Sequence, residues 1–102
     1  MNKKIKINDN DINIGGTSLI GYVTTTYDKL VEALGEPERD WEKSTAHWSV
    51  QASDGTVCTI YDWKTDFTPR CEYEWHIGGH YNTRVKSLIL AEVVTNEIPV
   101  AA

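Results

Sequence analysis

The chain has 102 residues, 40% of them apolar and 25% charged, with a formal net charge of −5 and a pI near 5.0. That length supports one hydrophobic core rather than two, and the balance is that of an ordinary soluble globular chain. The negative charge excludes a protein built to coat DNA or an anionic membrane, because both tasks need a basic surface.

The first segment, 1–16, is an arm in which Ile5, Ile7, Ile12 and Ile14 alternate with polar residues around Asn8-Asp9-Asn10-Asp11. It reads as two short strands about a polar turn, or as a loosely ordered extension. Met1-Asn2-Lys3-Lys4 leads into this alternation and not into an apolar run, so no signal peptide is expected. No stretch approaches the roughly 20 apolar residues of a membrane span, and the cytoplasm is the expected location.

The core domain is expected over 17–94. Gly15-Gly16 precedes a short apolar run, 19–23, and Thr24-Thr25-Thr26 offers N-caps. Tyr27, Leu30, Val31 and Leu34 then fall at i, i+3, i+4 and i+7, one stripe of an amphipathic helix. Gly35 and Pro37 should stop it. Trp48, Val50 and Ala52 alternate with His47, Ser49 and Gln51, and Ser53-Asp54-Gly55 carries a hairpin turn signal. A return strand is expected over 56–63. A third strand follows, with Cys71, Tyr73, Trp75 and Ile77 opposed to Glu72, Glu74 and His76. Val85, Leu88, Ile89 and Val93 form a second helical stripe, capped by Asn82 or Thr83. Asn96 and Pro99 end it, and 95–102 is expected to be a tail.

The fold class is therefore α+β: an antiparallel sheet of three to four strands with two amphipathic helices packed on one face. The other face should be polar and open, bearing His47, Ser49, Gln51, Asp62, Glu72, Glu74 and His76. Cys58 and Cys71 lack a CxxC spacing and are expected as free thiols in a reducing compartment.

The most informative stretch is 72–84, where an alternating strand meets Gly78-Gly79 and a helix start follows. A strand–Gly-Gly–helix junction can turn backbone N–H groups toward an anion. His76, Gly78, Gly79, His80, Tyr81 and Arg84 are the ligand-site candidates, with Trp63, Trp75 and Tyr81 able to stack on a base. The spacing matches neither the P-loop nor the dinucleotide fingerprint. His76 and His80 straddle the glycines and do not share a helix face, so no metal site is assigned and no cofactor is expected, although Asp62 or His47 could join them. No motif assembles a nucleophile, base and orienter, so no catalytic residue is assigned. The hydrolytic alternative is His76 with Asp62 or Glu74. Trp41 lies among Glu38, Asp40 and Glu42, as a protein-contact anchor flanked by carboxylates would.

Five segments carry a resemblance: Gly21-Tyr22-Val23-Thr24-Thr25-Thr26-Tyr27-Asp28-Lys29-Leu30-Val31, Leu34-Gly35-Glu36-Pro37, Asp54-Gly55-Thr56-Val57, Ile60-Tyr61-Asp62-Trp63-Lys64 and Tyr73-Glu74-Trp75-His76-Ile77-Gly78-Gly79. As a set they resemble a group of short proteins encoded by bacteriophages and prophages, over most of 17–94. The resemblance implies an accessory protein acting in the host cytoplasm, typically by inhibiting a defence system, and carries no catalytic residues. The partner expected is a host protein, such as a nucleic-acid-binding effector nuclease, with no direct DNA binding. A small nucleotide is the alternative ligand. Unpaired sheet edges and the Ile-rich arm suggest self-association into a homo-oligomer.

Overall fold

Thr26 starts the first helix as its side chain dictates. Its hydroxyl oxygen accepts the Lys29 amide at 3.2 Å, and α1 runs Tyr27–Leu34. Gly35 ends it at φ 88°, donating its amide to Val31 O at 2.7 Å. The stripe read from the sequence is the one buried: Tyr27, Leu30 and Leu34 all enter the core.

The computed structural model describes residues 5–96. Strands β1 (Lys6–Ile7) and β2 (Ser18–Thr25) precede α1. Strands β3 (His47–Gln51), β4 (Val57–Tyr61) and β5 (Tyr73–Gly79) follow, and α2 (Arg84–Asn96) comes last after a 3-10 turn over Tyr81–Thr83. The five strands form one antiparallel sheet in the order β1-β3-β4-β5-β2. Five strands replace the expected three to four, because Lys6 and Ile7 of the arm pair with Gln51 and Val50 while the 19–23 run forms a full strand beside β5. The ends at 1–4 and 97–102, including most of the expected tail, lie outside the described residues.

One face of the sheet meets both helices. Trp48, Val50, Cys58, Ile60, Trp75 and Ile77 point into a core shared with Leu30, Leu34, Leu90 and Val94. Both tryptophans satisfy their indole N–H, Trp48 on Gly35 O at 2.8 Å and Trp75 on Thr25 O at 3.2 Å. Cys58 is a buried free thiol whose pKa burial pushes up to about 12, and Cys71 is exposed, just ahead of β5.

Two expectations about facing are corrected. Helix α2 buries Ser87, Leu90, Ala91, Val94 and Thr95, whereas Val85, Ile89 and Val93 point to solvent. The helix packs close because Gly21 and Gly79 lack side chains there: a Cβ on Gly79 would lie 2.8 Å from Ser87 Cβ, and one on Gly21 would lie 2.6 Å from Leu88 Cδ2. A close approach selects the small face of the helix over the bulky one. Asp62 also does not belong to the open face. It is fully buried just past β4, on the side of Ile60.

The arm closes the architecture. Residues 8–17 link β1 at one edge of the sheet to β2 at the other. Ile12 is buried but stands outside the helix-side core, and Asn8, Asp9, Asn10, Ile12 and Ile14 line a hollow with His47 and Ser49. The arm thus covers part of the face that the helices leave open.

Candidate functional site

Antiparallel register assembles a row across that face. His47 pairs with Tyr61, Tyr61 with His76, and His76 with Tyr22, so β3, β4, β5 and β2 each contribute one ring. Residues directly opposite in an antiparallel pair share a face and touch. The Tyr22 and His76 ring centroids are 5.0 Å apart and edge-on, those of Tyr61 and His76 are 5.4 Å apart, and Trp63 lies 6.5 Å from His76. At the β3 end Trp41 stacks on His47 at 3.8 Å with an interplanar angle of 12°, and meets Tyr61 edge-on at 5.5 Å. Burial, then the neighbouring Tyr22, push the Tyr61 phenol pKa up, so that phenol is neutral at pH 7.

Exposure grades along the row. Tyr22 is 50% exposed and Trp63 42%, while His47 is 4%. Phe67, in the loop after Trp63, is 78% exposed. Trp41, expected to stand free in an acidic loop, is half-buried by its stack on His47. Glu36, Glu38, Asp40 and Glu42 around it are exposed.

The carboxylates nearest His47 have a structural reason to be there. Glu38 forms an isolated bridge with His47, exchanging amide bonds of 2.9 and 3.0 Å. Asp40, two residues on, places its Oδ1 3.1 Å from His47 Nε2. Donor atoms of Glu38, Asp40 and His47 all lie within 4.8 Å of one another. Burial lowers the His47 pKa and outweighs the pull of Asp40 and Glu38, so the imidazole is neutral at pH 7. Its Nδ1 is buried without a hydrogen-bond partner, as is that of His76.

The glycine junction differs from its expected geometry. Gly78 and Gly79 are residues of β5, paired with Thr59 and Cys58 on one side and with Leu19 and Ser18 on the other. Their amides belong to the sheet ladder, and both residues are buried. They are glycines because nothing larger fits: a Cβ on Gly78 would collide with Thr59 Oγ1, and one on Gly79 with Ile20 and Ser87. The turn comes instead at His80, whose carbonyl accepts the Thr83 amide at 3.1 Å. Tyr81 and Arg84 are exposed there, with the guanidinium 4.7 Å above the Tyr81 ring. His76 and Gly78 face the open side, whereas Tyr81 and Arg84 sit past the strand end. The six ligand candidates therefore do not converge on one pocket.

The His76–Asp62 pair of the hydrolytic alternative is not formed either. Asp62 accepts hydrogen bonds from the Ser44 hydroxyl (2.9 Å), the Thr45 and Ala46 amides (2.7 and 3.1 Å), and the Thr45 and Thr65 hydroxyls. Burial pushes its pKa up, but these bonds together win and hold it below the usual carboxylate value. Such an anion is a structural pin. Glu74 is exposed, opposite Thr24.

Tyr22 and Tyr61 are the site residues that sequence reasoning missed. The Asp54-Gly55 turn held the signal, because counting outward from it sets His47 opposite Tyr61 and puts the odd-numbered residues of β4 on the open face. Comparison with protein-family models, with curated proteins and with solved structures gave no match.

Proposed function

We propose that this chain is a non-enzymatic phage accessory protein that binds and inhibits a host defence component, an anti-CRISPR or a related counter-defence inhibitor. The observation that carries this reading is the open sheet face, where Tyr22, Tyr61, His76 and Trp63 form one ring cluster with Tyr22 and Trp63 half exposed. Exposed aromatic side chains held rigid by a sheet are the residues that anchor protein contacts. The carboxylates of 36–42 border this surface and favour a basic partner, such as the nucleic-acid channel of an effector nuclease.

Affinity capture with the tagged chain from a defence-bearing host should enrich one basic protein. Trp63→Ala and Tyr22→Ala should each weaken that complex by about tenfold or more, as hot-spot truncations do. Failure to enrich any protein, or full affinity in both variants, sinks the proposal.

A second reading, a nucleotide-binding sponge, moves from the glycine junction to the same ring cluster, where the adjacent Tyr22, His76 and Tyr61 rings favour stacking on a base. A thermal-shift panel of linear and cyclic nucleotides separates the two. A true ligand at 100 times its dissociation constant stabilises by about 2.7 kcal/mol.

A further inference from the structure

We propose that Glu38, Asp40 and His47 form a binding site for a divalent transition-metal ion of the zinc class. The backbone builds the constellation. Because Glu38 and His47 are a bridged pair, their side chains lie side by side on one face, and Asp40 returns to that face two residues later. The Asp40 Oδ1 to His47 Nε2 separation of 3.1 Å is close to the roughly 3.3 Å edge of a tetrahedron whose ligands stand about 2.0 Å from the ion. Glu38 is exposed, so rotation of its side chain can close the remaining gap.

Two further observations point to a cation. The first is uncompensated charge. Glu38, Asp40 and Asp9 share a hollow of about 170 Å³ with His47, and none of its lining residues is Lys or Arg. Arg39, between the two carboxylates in sequence, turns away to the Thr45 carbonyl at 2.9 Å and the Tyr27 hydroxyl at 2.8 Å. Among the described residues, neither Glu38 nor Asp9 has an ion-pair partner.

The second observation is His47 itself. It is 4% exposed, lines the hollow, and turns its Nε2 toward the Asp40 carboxylate there. Trp41 stacked on the ring holds its orientation.

One nitrogen and two carboxylate oxygens suit zinc better than magnesium or calcium, which take oxygen ligands almost exclusively. Asn8, Asp9 and Asn10 line the same hollow and offer oxygens for a fourth position. An ion there would fasten the arm and the 36–42 loop to β3. The proposal stands apart from the partner reading, since a chain that captures no protein would still bind zinc.

Calorimetric titration of the full chain with zinc chloride should show one saturable site per chain. The His47 Nε2 resonance should shift with zinc in a proton–nitrogen correlation spectrum. Glu38→Gln and Asp40→Asn change exposed side chains and should keep the circular dichroism spectrum, yet each should weaken zinc at least tenfold. Cys71→Ser should leave zinc affinity unchanged. Unaltered zinc affinity in both carboxylate variants overturns the site, as does a His47 resonance that ignores zinc. Calcium or magnesium competing with zinc at equal concentration overturns the assignment of metal class.

Discussion

Asp62 has lost contact with water and gained five hydrogen bonds, and the two effects oppose each other on its pKa. The bonds prevail, so the folded state holds the carboxylate ionised more firmly than the unfolded chain does. The folded pKa lies below the unfolded value of about 3.9, which gives the linkage its sign. The stabilisation is full above that unfolded value and is lost as pH falls through the folded one. Urea unfolding should therefore show a stability loss below about pH 4 that is shallower in Asp62→Asn. At pH 7 that variant points two amide protons at groups that are themselves donors. It should cost about 2–4 kcal/mol, as removing the acceptor from a buried network does. Equal acid slopes in the two proteins would mean that Asp62 is not the pin of the 44–46 segment.

At the scale of elements, Gly79 fixes how α2 sits. Its φ is not left-handed, so an alanine there meets no backbone strain, but its Cβ would lie 2.7 Å from Ile20 Cδ1 and 2.9 Å from Ser87 Oγ. Ser87 cannot yield freely, because its hydroxyl donates to Val57 O at 2.7 Å. Gly79→Ala should destabilise by about 1–3 kcal/mol through overpacking alone, read from the urea midpoint. A stability change within about 0.5 kcal/mol, the range of ordinary surface substitutions, would mean that Ile20 and Ser87 give way and that Gly79 does not set the seat of α2. The same packing explains what the sequence could and could not disclose. Helix α1 was legible because its polar residues leave one apolar stripe and its caps are explicit. Helix α2 is apolar nearly all round, from Val85 through Leu88, Ile89, Leu90 and Val93 to Val94, so periodicity does not choose a face. The choice is made by glycines on other strands. Asp62 misled in the same way, since a charged residue beside alternating apolar ones reads as solvent-facing unless its partners are known. The Glu38–Asp40–His47 cluster was hidden because it depends on an isolated bridge between two irregular segments.

Over the whole molecule the arm matters more than its short strand suggests. Its ten residues, 8–17, must cross four interstrand spacings, about 19 Å at roughly 4.8 Å each, well within the reach of about 33 Å for an extended chain of that length. The crossing is fastened at intervals. Asn8 Oδ1 accepts the Ser49 amide at 2.9 Å, and Asn8 Nδ2 donates to Glu36 O at 3.1 Å. Ile12 is buried mid-way, and Gly16 arrives beside the His80 ring. The arm, expected to offer itself to a neighbouring copy's sheet edge, thus pairs through β1 with β3 of its own chain. An arm fastened in this way should unfold with the rest. Ile12→Ala should cost about 2–4 kcal/mol, the usual loss for a buried aliphatic side chain. Asn8→Ala should cost about 1–3 kcal/mol, because it strips the partner from the part-buried Ser49 amide at the edge of β3. In a domain of this size each kcal/mol lowers the melting temperature by about 4–8 °C, so both losses are measurable by calorimetry. In each variant the fluorescence and circular dichroism transitions should still coincide, since one cooperative unit is being weakened. A separate early transition, or a chain starting at residue 17 that melts at the wild-type temperature, would make the arm an appendage and leave the hollow beside His47 without its second wall.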